Sequence, residues 1–312
     1  MNTGLYNSRL ATILLAIFAC LLWSTAFVGV KIGLRYSEPF SFAGVRFMLA
    51  GLLLLPFWWK RRPAFSEIRR NLRVIILVSF FQTFFMYGLF YLAMTMASGA
   101  IAAILIGASP LTAAVVAHFS DADDHLTLPK TISLLLGMAG IVILSLSRHP
   151  WASPEGLREF IGIVLLFLCT VSSALGNVLV AGERSDMDPV FFNSVQIFLG
   201  GFFLFFIALF IEKTSFSSYP LQYYLALGWL SCLSAVAFTL WFVLLQRPNV
   251  KVSQLNLWKF IIPVFGAIFS WILLPDESPH LSSIFGMIVI AVSILLFYIG
   301  DAQKTDGRIQ RN

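Results

Sequence analysis

Leu255-Asn256-Leu257-Trp258-Lys259-Phe260-Ile261-Ile262-Pro263-Val264-Phe265-Gly266 sets a lysine and a proline inside an apolar run long enough to cross a membrane. A lysine at the centre of a bilayer costs roughly 2.5–3.5 kcal/mol on insertion scales, so something must offset it. On a helix, Asn256, Lys259, Pro263, Gly266 and Ser270 recur at steps of three and four and share one stripe, facing a protein interior or a cavity. Pro263 has no N–H for the carbonyl of Lys259, which predicts a kink with a free acceptor beside the cation. Two accounts of Lys259 stay open: recognition of an anion, or snorkelling to a surface about 9–14 Å along the helix.

The rest of the chain is of the same kind. It has 312 residues, 59% hydrophobic and 12% charged, with a mean hydropathy of +0.87, far outside soluble globular usage. Ten apolar runs of about 20 residues stand out, at 10–30, 39–59, 74–95, 98–118, 131–147, 160–181, 190–211, 221–245, 253–274 and 282–299. All fifteen acidic residues fall outside them, and the only charges within are Arg46 and Lys259. The expected fold is an all-α membrane protein of ten transmembrane helices.

Counting basic residues between the runs sets the orientation. Fourteen collect on the side of the N-terminus, among them Lys60, Arg61, Arg62, Arg69, Arg70 and Arg73, against Lys31, Arg35, Arg148, Arg158 and Lys213 opposite. This positive-inside bias places both termini in the cytoplasm and accounts for the pI of 9.4 better than nucleic-acid binding does. Lys60 to Arg73 then touches anionic lipid headgroups. Cys20, Cys169 and Cys232 lie within spans and read as small core residues, with no disulfide framework and no metal or cofactor site. The first run has no A-x-A cleavage site and reads as a retained span, and no N-x-S/T acceptor occurs, which fits a bacterial inner membrane.

Taken in order, the spans carry a sparse set of polar side chains. Trp23-Ser24-Thr25-Ala26 with Gly29 and Gly33 suits close helix contact. Arg46 sits about two turns in from the outer end of the second span, as a structural clamp or a ligand contact. Thr83, Tyr87 and Tyr91 recur every four residues, as interhelical hydrogen bonders or a substrate wall. The sixth span offers Thr170, Ser172, Ser173 and Asn177, and the seventh Asn193 and Gln196.

The halves also match. Adding 153 carries Ala103, Ile106, Pro110, Ala113 and Ala117 onto Asn256, Lys259, Pro263, Gly266 and Ser270; adding 150 carries Pro39, Arg46 and Ala50-Gly51 onto Pro189, Gln196 and Gly200-Gly201. Residues 1–150 and 151–300 therefore read as two five-span repeats, followed by a charged cytoplasmic tail at 301–312. Because five is odd, the second copy inserts upside down, the inverted-repeat plan of secondary transporters with a site at the midplane.

The paired halves, the Pro39…Arg46-Phe47-Met48-Leu49-Ala50 signature and the small-residue stretch ending in Pro110 resemble the EamA family of the drug/metabolite transporter superfamily. Pro263 followed by Leu274-Pro275-Asp276-Glu277 is similar to that family's second-half proline and the acidic residue after its ninth span. Asp121-Ala122-Asp123-Asp124 departs from its usual Gly-Glu pair. The resemblance covers about residues 10–300 and implies a transporter without naming a substrate. Small multidrug relatives use a membrane-embedded glutamate, which no span here has, so cationic-drug export is the weaker alternative.

The expected activity is secondary active export of a small organic metabolite, anionic or zwitterionic, such as an amino acid, by alternating access. Lys259, Asn256, Asn177, Gln196, Trp23, Tyr87 and Tyr91 are the candidate substrate contacts, with Arg46, Pro110, Pro263 and Glu277 structural or gating. Partners are the solute and membrane lipid, with the chain a monomer or homodimer. An intramembrane lipid-modifying enzyme is the other class, but the spans offer no acid and no central histidine for its chemistry.

Overall fold

The computed structural model describes residues 9–59, 63–96, 105–107, 109–120, 127–146, 156–182, 187–213, 218–247, 250–273, 281, 284–286 and 288–296. Among them there is no strand. The helices are α1 (Arg9–Gly33), α2 (Pro39–Trp58), α3 (Phe65–Val78), α4 (Met86–Met94), α5 (Ser109–Ser120), α6 (Leu128–Leu146), α7 (Gly156–Gly182), α8 (Pro189–Ile211), α9 (Leu221–Leu245), α10 (Val252–Leu257) and α11 (Ile261–Leu273). A further apolar helix, α12, covers Ile284–Leu296. A π-helical segment, Ser79–Phe85, joins α3 to α4, and a 3₁₀ turn, Trp258–Phe260, joins α10 to α11.

Six helical stretches are long and apolar enough to span a bilayer: Arg9–Val30, Pro39–Trp58, Phe65–Met94, Phe160–Gly182, Pro189–Ile211 and Leu221–Leu245. The other four apolar runs of the sequence contain shorter described helices. Phe57, Phe203, Phe206, Leu209, Phe210 and Leu225 stand exposed on the outside, a surface made for lipid and not for water. The protein is a multi-pass membrane protein.

One boundary differs from the sequence reading. The stretch before residue 74 reads as a connecting link, yet helix begins at Phe65. Glu67 in its first turn favours the helix dipole, and Asn71, Ile75 and Val78 bury one face, so the basic side chains ride on the first turns of the span itself.

The centre of the fold is an antiparallel crossing of α2 on α8. Both helices start with proline, whose fixed φ and missing N–H suit a first turn. Asp188 caps α8 by accepting from the N–H groups of Val190 and Phe191 at 2.8 and 3.1 Å. Glu38 makes no such cap for α2. Instead Glu212, at the far end of α8, accepts from Phe40 N–H (2.6 Å), Ser41 N–H (2.8 Å) and the Ser41 hydroxyl (2.8 Å). A single carboxylate thus neutralises the α2 N-terminus and fixes the crossing.

Glycines let the two backbones meet. A Cβ on Gly51 would stand 2.6 Å from Phe198 Cβ and 2.8 Å from the Ser194 carbonyl; one on Gly201 would stand 2.7 Å from the Met48 nitrogen and 3.0 Å from the Gly44 carbonyl. The Ser194 hydroxyl donates to the Gly51 carbonyl at 2.8 Å, tying the contact polar to polar. Around this pair, α1 packs on α9, α7 on α4 and α5, and α10 on α5. The two ends of the bundle are the Arg9 end, where α1 begins, and the Gly33 end, where it finishes. Arg247 donating to Thr12 (2.6 Å) and Lys130 to Ser253 (3.0 Å) tie helices at the Arg9 end.

Candidate functional site

Lys259 sits in the 3₁₀ turn, only 8% exposed. The tightened turn directs the Ile261 N–H at the carbonyls of Trp258 and Lys259, and Pro263 falls in the first turn of α11, where its missing N–H is tolerated. The free Lys259 carbonyl expected from Pro263 is therefore engaged within the turn. The ammonium makes one long hydrogen bond, to the Ser173 hydroxyl of α7 at 3.4 Å. Its nitrogen lies 5.0 Å from the centre of the Trp241 ring and 5.8 Å from that of Trp23. Contacts of this kind contribute about 0.5–2 kcal/mol each and lose strength toward 6 Å. They hold the lysine in place without giving it a counter-charge.

Lys259 faces a central cavity of about 100 Å³. Trp23, Tyr87, Phe90 and Phe238 supply aromatic walls; Gln82, Ser109, Thr170 and Ser173 supply polar groups; Arg46 is the second cation. No carboxylate stands among the described lining residues. Three polar atoms of lining residues are buried without a hydrogen-bond partner: Trp23 Nε1, Gln82 Oε1 and Ser109 Oγ. Orphaned groups of this kind cost about 1–3 kcal/mol each, a cost that a ligand in the cavity can relieve.

Arg46, 2% exposed, donates from Nε to Ser234 and from Nη1 to Tyr91, both at 3.1 Å, and lies 4.7 Å over the Phe47 ring and 5.7 Å from that of Tyr87. It forms a clamp among α2, α4 and α9 and also lines the cavity.

Toward the Arg9 end the cavity has a floor knotted around Asn177. Its side-chain oxygen accepts from Trp241 Nε1 at 3.2 Å and Gln82 Nε2 at 3.4 Å, and its nitrogen donates to the Asn256 oxygen at 2.9 Å. Asn256 in turn donates to the Val252 carbonyl of its own helix at 2.9 Å. Asn177, Asn256 and Trp241 are all fully buried. One asparagine thereby joins α7, α9, α10 and the π segment.

Of the residues singled out from sequence, Lys259, Trp23 and Tyr87 line the cavity, joined by Arg46. Asn177 and Asn256 sit in the floor. Tyr91 is the acceptor for Arg46. Gln196 stands apart: it accepts from Thr83 and donates to Asn193, both at 2.8 Å, and Asn193 donates to Thr239 at 2.9 Å, a ladder between the π segment, α8 and α9. Pro110 is buried at the start of α5, beside Ser109. Glu277 lies outside the described residues, as does Asp124, while the side chain of Ser270 is not described. Phe238 and Trp241 belong to the site beyond those residues; on α9 they share a stripe with Ser231 and Ser234 at steps of three and four, a faint polar signal in a helix otherwise almost wholly apolar.

Residues 10–146 and 160–299 match the EamA-like transporter family. The chain is 26% identical over 290 residues to the uncharacterized transporter YvbV of Bacillus subtilis, covering 91% of this chain and 90% of that one. It is 28% identical to an uncharacterized transporter of Archaeoglobus fulgidus, covering 91% and 96%. A WAT1-related chloroplastic protein of Arabidopsis thaliana, At3g02690, is 27% identical, covering 89% and 66%. A protein solved by crystallography superposes with a TM-score of 0.78 over 94% of this chain and 98% of its own, at 18% identity, which shows a shared fold. With both halves of the chain matched in turn, the protein belongs to the EamA-like transporter family of the drug/metabolite transporter superfamily.

Proposed function

We propose that the protein is a secondary transporter that moves a small organic anion, or a zwitterion held by its carboxylate, through the central cavity by alternating access. The observation that carries this reading is a buried cavity with two cations and no carboxylate among its described lining residues. Lys259 is the anchor: its ammonium has three donors and one long bond. In this dry, aromatic setting an anion restores the counter-charge that the ring faces only partly replace.

The alternating mechanism rests on the duplication. Under the shift of 150, Gly51 meeting Ser194 and Phe198 becomes Gly201 meeting Gly44 and Met48, and both sets of contacts are present. Such reciprocity is the mark of a two-fold axis. It supports ten spans in two inverted repeats, with α2 and α8 as the pivot pair. The Asn177 floor lies at the Arg9 end; the positive-inside bias of the sequence supports reading that end as cytoplasmic, with this conformation closed toward the cytoplasm of a bacterial cell.

Transport assays on the purified full chain in liposomes test the reading. Counterflow of a labelled organic anion is expected for the parent chain and is expected to fall to the background of empty liposomes for Lys259→Met, with the variant's elution profile unchanged. A Lys259→Met variant that transports normally removes the anchor and with it the proposal.

A further inference from the structure

We infer that Arg46 is a second charge-selecting residue and that the cavity takes an organic dianion, two anionic groups at opposite ends of a flat apolar body. This inference rests on the cavity being the transport site and adds the class of ligand.

The first ground is unused donor capacity. A guanidinium carries five N–H donors in a rigid fork, of which the described bonds of Arg46 use two, toward Ser234 and Tyr91. A clamp alone needs no more than those. The remaining donors belong to a cation that lines the same cavity as Lys259, whose ammonium is likewise one long bond short of bare. Two partly satisfied cations facing one space of low polarity repel each other unless two negative charges enter it.

The second ground is what lies between them. The Arg46 guanidinium is 5.7 Å from the Tyr87 ring, Tyr87 is 6.2 Å from Phe238, Phe238 is 5.4 Å from Trp23, and Trp23 is 5.8 Å from the Lys259 ammonium. The rings meet edge to face, as Tyr87 does Phe238 at 74° and Phe238 does Trp23 at 65°. An unbroken aromatic wall therefore runs from one cation to the other. It suits an apolar, ring-sized body.

The third ground is the indole N–H of Trp23, which has no acceptor although it is buried. Standing at the Lys259 end of the wall, it is placed to add a donor to whatever anion the lysine holds.

The test compares probes of equal body and unequal charge: benzoate with terephthalate, and biphenyl-4-carboxylate with biphenyl-4,4′-dicarboxylate. Binding to the full chain in detergent is followed by thermal stabilisation and titration. The dianion of the pair whose length fits the wall is expected to bind about tenfold more tightly than its monoanion, the equivalent of one added charge-assisted contact. Arg46→Gln is expected to weaken the dianion more than the monoanion and to bring their affinity ratio to about one; Arg46→Lys, which keeps the charge, is expected to keep part of the preference. Substituting 4-carboxyphenyl phosphate for terephthalate tells whether the group at Arg46 is a phosphate monoester or a second carboxylate. No dianion preference in either pair, or an Arg46→Gln variant that weakens both charges equally, overturns the inference while monoanion binding lost in Lys259→Met leaves the transport site standing. If Arg46→Gln does not fold, the parent's ratio and that of Arg46→Lys decide. Absence of binding by all five probes overturns the inference and the anion reading together.

Discussion

Lys259 and Arg46 show how a side chain's burial is read against its partners. Both are nearly fully buried in a membrane-spanning fold, yet Lys259 relies on two ring faces and one 3.4 Å bond while Arg46 has two 3.1 Å bonds and its own rings. The difference predicts different consequences of removal. Lys259→Met takes away a weakly held charge and costs little stability, so its midpoint of thermal unfolding stays within a few degrees of the parent's. Arg46→Met strips two charge-assisted bonds from the α2–α4–α9 junction and is expected to cost about 3 kcal/mol, seen as a lower folded yield after extraction. An Arg46→Met variant as stable as the parent contradicts the clamp. The presence of both cations was legible in the sequence, because a charge inside an apolar run needs no alignment to be noticed. Their meeting in one cavity was not, since nothing in residue spacing relates position 46 to position 259.

At the scale of elements, two irregular turns place the site. The π segment Ser79–Phe85 is wedged between Gly176 of α7 and Gly200 of α8, and the Ser172 hydroxyl donates to its Phe81 carbonyl at 2.6 Å. The wider turn brings Gln82 toward Asn177 and Thr83 toward Gln196, two neighbouring residues serving two different helices. The four-residue repeat of Thr83, Tyr87 and Tyr91 predicts one face; the π turn is why Thr83 leaves it and Tyr87 and Tyr91 remain with Arg46. Sequence periodicity assumes a uniform helix, so a local change of winding is invisible to it. The α2–α8 crossing makes a sharper test. Gly201→Ala pushes a Cβ to 2.7 Å from a backbone nitrogen and is expected to destabilise by about 1–3 kcal/mol. Gly228→Ala on the exposed face of α9, with nothing within 4 Å, is expected to be neutral or up to about 1 kcal/mol stabilising. Equal unfolding midpoints for the two variants would contradict the close-packed pivot.

For the whole molecule, the sequence offsets of 150 and 153 carry the proposed repeat, and the contacts of Gly51 with Ser194 and of Gly201 with Gly44 follow the first of them. Orientation follows from charge. A fluorescent protein fused to the C-terminus is expected to glow and alkaline phosphatase at the same place to be inactive, whereas an active phosphatase fusion reverses the membrane orientation. Under the proposed alternating mechanism, the Asn177 knot opens once per cycle. Asn177→Leu removes the acceptor shared by Trp241 and Gln82 and is expected to lower transport about tenfold by loosening the floor.

Ala26 is partly exposed and lines the cavity, a position for a reporter cysteine. In a Cys20→Ser, Cys169→Ser, Cys232→Ser background, the measurement is the rate at which a membrane-impermeant maleimide labels an Ala26→Cys variant in right-side-out and inside-out vesicles, with and without a bound organic anion. Labelling is expected to be about tenfold faster from the side opposite the Arg9 end, slowed by the anion in the parent chain and not slowed in Lys259→Met. Labelling that is equally fast from both sides, or that the anion leaves unchanged in the parent, would contradict a transport site closed at the Arg9 end and anchored by Lys259.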